Sequence, residues 1–149
     1  RGPLGAEIDA TMDAVGAPLA LVLLAIPDVG RATIGGRQLH DGVPVDETAF
    51  ARDPQNPIRD ARVGAAVAAT SRRRVGGVAL AAVRGGDVVA ALARQRADGA
   101  EIVVGDAETD DPTRASDAYR SALKADSGFA DGYARLAIVD GFLSIKREK

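Results

Sequence analysis

Ile8, Met12 and Val15 fall at i, i+4 and i+7 behind Pro3, with polar Glu7, Asp9 and Asp13 between them. That spacing predicts an amphipathic helix, stopped by Gly16 and Pro18. The run from Leu19 to Ile26 is continuous and apolar. It suits a strand buried on both faces of a parallel sheet, although a buried helix has the same pattern; Pro27 ends it. Gln38 to Val45 alternates around Asp41-Gly42, a dipeptide that tolerates positive φ, and predicts a small β-ribbon inserted on the main fold. Pro44, Pro54 and Pro57, with Asp53 and Asn56 beside them, remove donors and fix backbone angles. A loop lying over the sheet is expected there.

The Ala/Val spacing from Ile58 to Ser71 predicts a second helix, and Val78 to Val83, after Gly76-Gly77, a second strand. Asp87 is placed to cap a helix carrying Val88, Val89, Leu92 and Ala93 on one side, with Gly99 as its left-handed terminator. Ile102-Val103-Val104 reads as the third strand. Asp111-Pro112 then opens a helix with Ala115, Ala118, Tyr119 and Ala122, Ser127-Gly128 breaks it, and a last helix runs through Tyr133, Leu136 and Ala137. Helices alternating with apolar strands predict an α/β, Rossmann-like fold, a mostly parallel three-layer sheet joined by right-handed crossovers and carrying the β-ribbon insertion.

Composition narrows the chemistry. The 149 residues are 46% hydrophobic and 27% charged, so the chain folds rather than remaining disordered. There is no cysteine and one histidine, His40, which excludes disulfides, thiolate metal sites and cysteine nucleophiles. No metal site is expected, and His40 is read as a solvent-facing ribbon residue. A net charge of −2 and 3% aromatic residues without Trp give no footprint for nucleic acid. Arg72-Arg73-Arg74 reads as a solvated helix end. The longest apolar run, Ala17 to Ile26, is short of the roughly 20 residues that cross a bilayer, so no membrane partner and a cytoplasmic location are expected.

In open α/β sheets, ligands bind beyond the carboxyl ends of the strands, which singles out three stretches. They are Pro27-Asp28-Val29-Gly30-Arg31, Arg84-Gly85-Gly86-Asp87 and Gly105-Asp106-Ala107-Glu108. Arg31 and Arg84 offer planar forks for a carboxylate or phosphate, and Gly85-Gly86 would let backbone N–H groups approach an anion. The plainer alternative is surface arginines and turn glycines. Asp106 is expected to cap a loop rather than act as a base. Neither a Walker-type loop nor a Gly-x-Gly-x-x-Gly after a strand occurs, so no catalytic or nucleotide-binding residue is assigned.

Arg1-Gly2-Pro3-Leu4-Gly5-Ala6-Glu7-Ile8, Pro27-Asp28-Val29-Gly30-Arg31, Gly42-Val43-Pro44-Val45-Asp46-Glu47-Thr48, Asp53-Pro54-Gln55-Asn56-Pro57 and Ile102 to Asp110 follow one another in an order that resembles the four-carbon acid sugar kinase family. The resemblance implies a sugar-acid-binding portion over residues 1–126 and a divergent helical tail over 127–149. It implies phosphoryl transfer from ATP with Mg²⁺ to a threonate- or erythronate-type acid, the nucleotide being held by a separate domain as partner and not by this chain. The family's first strand and its Asp-Asp-Leu-Thr-Gly-Ala turn stand before Arg1, so the fold is expected to be incomplete and the isolated chain inactive. Arg1 and Arg31 would meet the substrate's carboxylate or hydroxyls, Gly2 and Gly30 would allow close approach, Arg84 would join them from the crevice, and Asp53 would hold its own loop. The alternative is a non-catalytic α/β module, truncated or rearranged, with a binding or interaction role.

Overall fold

The computed structural model describes residues 3–26, 29–108, 117–119, 121, 137–139 and 142–144. In chain order the elements are α1 (Leu4–Val15), β1 (Ala20–Val22), β2 (Arg31–Ile34), β3 (Arg37–His40), β4 (Val43–Pro44), α2 (Val63–Ala68), β5 (Val75–Val78), α3 (Leu80–Gly85), α4 (Val88–Ala97), β6 (Ile102–Gly105), β7 (Ala137–Val139) and β8 (Phe142–Ser144). Two 3-10 turns, Val45–Glu47 and Ala49–Arg52, lie between β4 and α2.

The expected α/β class holds. β1, β6 and β5 form a parallel sheet in that order, with β6 in the centre. All four β6 residues are buried, and their alternation divides the core. Ile102 and Val104 join Ala20, Val22, Ile8, Met12, Val63 and Val67 on the α1/α2 side. Val103 joins Leu80, Val83, Val88 and Leu92 on the α3/α4 side. Because successive strand side chains point to opposite faces, two helical layers can each bury an apolar stripe on one sheet.

The predicted first helix and third strand are present, and Gly16 ends α1 in the left-handed region (φ 65°). Other boundaries moved for identifiable reasons. The strand expected over Val78 to Val83 is β5 up to Val78, and then helix α3. Ala79, Ala81 and Ala82 favour helix over strand, and the Asp106 carboxylate accepts the Leu80 N–H at 3.0 Å, at the start of that helix. Gly76 lies inside β5, paired with Val103, and an added Cβ would meet the Gln95 side chain (2.1 Å from Oε1) and the Ala100 Cβ (3.0 Å).

The helix expected from Ile58 begins only at Val63. The Ile58 and Ala61 N–H groups are already bound, to the Phe50 carbonyl (3.1 Å) and the Asp46 carboxylate (3.0 Å). On α4, Val88, Ala91 and Leu92 are buried, whereas Val89 and Ala93 face outward. Ala137–Val139 and Phe142–Ser144 pair antiparallel, which replaces the end of the helix expected through Ala137. Tyr119 lies in helical backbone as expected, while Asp111-Pro112, Ala115, Ala122, Tyr133 and Leu136 fall outside the described residues. No helix among the described residues is long and apolar enough to cross a membrane.

The arginine run is solvated at Arg72 and Arg74, as expected, and partly buried at Arg73. Arg73 pairs with Asp13 (2.6 Å) and Glu101 (2.5 Å), and Arg72 also pairs with Asp13. Asp9, predicted on the polar face of α1, is buried and accepts from the Ser71 hydroxyl (2.7 Å) and the Arg72 N–H (2.9 Å). Burial pushes its pKa up. The Arg72 N–H, the Ser71 hydroxyl and the two guanidinium charges outweigh that, and the carboxyl lies below its ordinary value.

The ribbon is larger than expected, since β2 precedes β3 and β4 in an antiparallel sheet. The β2–β3 turn is Gly35-Gly36, both with positive φ (60° and 71°), the backbone a two-residue hairpin demands. Asp106 binds this turn. Its carboxylate accepts the Gly35 N–H at 2.8 Å and the Gly36 N–H at 2.9 Å. Beside it, Thr33 and Ala107 exchange two backbone bonds of 2.8 Å. The buried Tyr119 hydroxyl donates to the Asp106 carbonyl (3.2 Å), and burial, with the Asp106 charge, raises the phenol above its ordinary pKa.

Asp106→Ala deprives three backbone donors of their acceptor. It is expected to cost about 3 kcal/mol or more, since bonds to a charged group are the stronger ones. Urea unfolding measures this, and a loss below about 1 kcal/mol would contradict the assigned role.

Candidate functional site

A cavity of about 680 Å³ opens between the start of α1, the chain after β1, the ribbon and the loop over residues 50–60. Pro3, Leu4 and Glu7 contribute from α1, Leu24 and Ile26 from beyond the carboxyl end of β1, and Arg31 and Gln38 from the ribbon. Phe50, Gln55, Asn56 and Pro57 form the loop wall. The lining mixes apolar residues such as Leu4, Leu24, Val45 and Ile58 with a few polar ones, the usual composition of a small-ligand site.

Of the three stretches singled out in the sequence, only the first reaches this cavity. Arg31 is not a loop residue but opens β2, because its N–H and C=O both pair with Ile26, at 3.0 and 2.9 Å. Its guanidinium lies 5.3 Å from the centre of the Phe50 ring. His40, directly across the ladder from Arg31, meets the same ring edge-on at 5.3 Å and lies 3.4 Å from the Asp41 carboxylate. It is therefore packed on one side rather than wholly solvent-facing.

Gly30 (φ 69°) does not line the cavity; an added Cβ would lie 1.9 Å from Asp41 Oδ1. The close approach it permits is to the ribbon's own turn, whose Asp41 N–H bonds the Gly30 carbonyl at 2.9 Å. Arg84 occupies the last turn of α3 rather than the end of a strand, and its Nε donates to Glu108 at 3.0 Å. It does not line the cavity, and neither do Gly85, Gly86 or Asp106. Arg1 and Gly2 fall outside the described residues, immediately before Pro3.

Asp53 holds its own loop as expected, accepting the Gln55 and Asn56 N–H groups at 2.8 and 2.9 Å. Gln38 and Phe50 are among the wall residues that went unread in the sequence. Gln38 donates to the Leu24 carbonyl at 3.0 Å and so ties the ribbon to the chain after β1, a contact between distant segments. Phe50 had a usable signal: a large apolar residue in a proline-rich loop must find cover.

The charged lining comprises Arg31, Arg59, Glu7 and Asp60. Asp60 is held to a pKa of about 2, chiefly by the Arg62 side chain, with which it makes bonds of 2.7 to 3.0 Å. Its charge is thereby compensated. The start of α1 lies on the cavity wall, and a helix N-terminus favours negative charge. Arg31 and this helix end together suit a small carboxylate. Among the described residues no group of three or more acidic or histidine side chains could hold a metal ion.

This is an α/β domain with a cavity beyond the end of its parallel sheet, and comparison with known proteins gives the same fold. Residues 1–132 match the family described as the sugar-binding N-terminal domain. The chain belongs to that family. It is 44% identical over 128 residues to the D-erythronate kinase of Heliobacterium modesticaldum, covering 83% of this chain and 29% of that one. It is also 44% identical over 107 residues to the D-threonate kinase of Salmonella typhimurium, with coverage of 72% and 25%.

A crystal structure of a Haemophilus influenzae protein superposes with a TM-score of 0.72 at 26% identity, over 80% of this chain and 29% of that one. A Bordetella bronchiseptica domain of unknown function, crystallised with bound citrate as a domain-swapped dimer, gives 0.53 at 31% identity, over 72% and 25%. The chain thus spans between a quarter and a third of the length of these relatives.

Gly30→Ala is expected to lower stability by about 1–2 kcal/mol, the cost of left-handed backbone for an L side chain. Moving Asp41 relieves the contact but not this backbone term. Thermal unfolding of Gly30→Ala and of Gly30→Ala with Asp41→Gly checks it; a variant as stable as the parent would show that Gly30 is not required by the ribbon.

Proposed function

We propose that the cavity binds a four-carbon sugar acid of the threonate or erythronate type, and that the chain is the substrate-binding portion of an ATP-dependent four-carbon acid sugar kinase. The observation that carries this reading is Arg31, a planar guanidinium on the wall of a cavity in a chain of the sugar-binding family. Its fork matches a carboxylate in two parallel hydrogen bonds. The Gln55 and Asn56 amides, which also line the cavity, supply donors and acceptors suited to hydroxyls.

On the family resemblance, Arg1 and Gly2 join the site beside Pro3. Residues 1–126 make the sugar-acid portion, with 127–149 a divergent tail. ATP and Mg²⁺ would be held by a separate nucleotide-binding domain, and the reaction would be cytoplasmic. The citrate in the Bordetella relative supports a carboxylate ligand for this fold.

Titration calorimetry of the chain with threonate and erythronate tests the reading. Arg31→Ala is expected to weaken binding at least about tenfold, the effect of losing a charged hydrogen bond. The fold should be little affected, because Arg31 is only half-buried. Equal affinity would remove Arg31 from the site, and failure of both acids to bind the unsubstituted chain would overturn the reading.

A further inference from the structure

Among the described residues the Phe50 ring meets Arg31 and His40, both on one face of the ribbon. The ring centre lies 5.3 Å from the Arg31 guanidinium carbon and 5.3 Å from the His40 ring, inclined at 74° to the latter. Arg31 and His40 are register partners in the β2–β3 ladder, so the surface under the ring is set by backbone pairing. Phe50 itself is fixed at both ends of its peptide unit. Its N–H donates to Thr48 Oγ1 (3.3 Å), whose hydroxyl in turn donates to the Val45 carbonyl (2.8 Å). Its carbonyl accepts the Asp53 N–H at 3.4 Å and the Ile58 N–H at 3.1 Å, the second closing the loop that carries Gln55 and Asn56. A proline-rich segment without a ladder of its own is thus held at Phe50 as well as by the Asp53 carboxylate. The Phe50 ring and the Arg31 side chain both border the cavity.

An arginine on a surface cavity has a long stem and many rotamers, and binding an anion in its fork orders them. An aromatic face against the guanidinium confines the head group through a flat contact that does not itself use the fork's N–H donors. Confinement before binding reduces what the ligand must order.

We propose that Phe50 is a positioning residue for carboxylate capture: its ring holds the Arg31 guanidinium against the ribbon so that the fork is presented to the cavity. This rests on the sugar-acid reading above. The role belongs to an aromatic face rather than to apolar bulk, which separates it from simple packing. Leucine at this position would fill space without the ring's negative face, and tyrosine would retain it.

The test compares threonate and erythronate binding by the unsubstituted chain, Phe50→Leu and Phe50→Tyr, with the Arg31 side-chain Nε–Hε signal followed by NMR in the absence of ligand. Phe50→Leu is expected to bind about two- to fivefold more weakly, and Phe50→Tyr within twofold, about experimental scatter, of the parent. The Arg31 Hε signal should lose its ring-current shift in the leucine variant alone. A Phe50→Leu affinity equal to the parent's, or a tyrosine variant as weak as the leucine one, would overturn the proposal while leaving the sugar-acid reading intact. An Arg31 signal that does not move in Phe50→Leu would overturn it whatever the ligand. If the unsubstituted chain binds neither acid, both the reading and the role assigned to Phe50 fall.

Discussion

The Asp106 carboxylate joins three pieces of the chain that share no local sequence. It stands one residue beyond β6, nearly fully buried, and accepts from the β2–β3 turn with both oxygens and from the first residue of α3 with one. A carboxylate out of water needs its lone pairs satisfied, and backbone N–H groups satisfy them without introducing another charge. The consequence is positional. The ribbon is docked at the carboxyl end of the parallel sheet, and its Arg31 and Gln38 are thereby brought to a cavity that the start of α1 also lines.

The parts legible in the sequence are those whose cause is local. α1 follows from the spacing of Ile8 and Met12 and the left-handed Gly16, β6 from an unbroken apolar run, and the β3–β4 turn from Asp41-Gly42, where both residues have positive φ. Asp53 was readable as a loop holder because its partners lie two and three residues away. What could not be read is contact between distant segments. Whether Ala79 to Val83 continues as strand or turns into helix is biased by alanine propensity and by Asp106, more than twenty residues away. The Gly35-Gly36 turn was a missed local signal, since a double glycine between Ile34 and Arg37 marks a hairpin. Asp9 looked polar and outward, yet the Arg72 N–H and the Ser71 hydroxyl provide enough partners to bury it.

The candidate site follows the same division. Arg31 was found from its place after an apolar run and from the family's residue order, and it lies on the cavity wall. Arg84 was placed by the mistaken strand and went with it, to a pairing with Glu108. Phe50 and Gln38 matter because of what the fold brings next to them. The family match rests on residue order over 1–132, whereas the cavity is a property of the fold, and Arg31 is one of the residues that line it.

The central claim is that one buried carboxylate makes the ribbon and the parallel sheet a single cooperative unit. Native-state hydrogen exchange at the Gly35, Gly36 and Leu80 amides tests it most directly, because the first two lie in a hairpin turn that would otherwise exchange quickly. The account predicts that these three amides share the opening free energy of Val103 and Val104 in β6. Exchange of Gly35 and Gly36 on the timescale of an unprotected turn, while β6 stays protected, would contradict it.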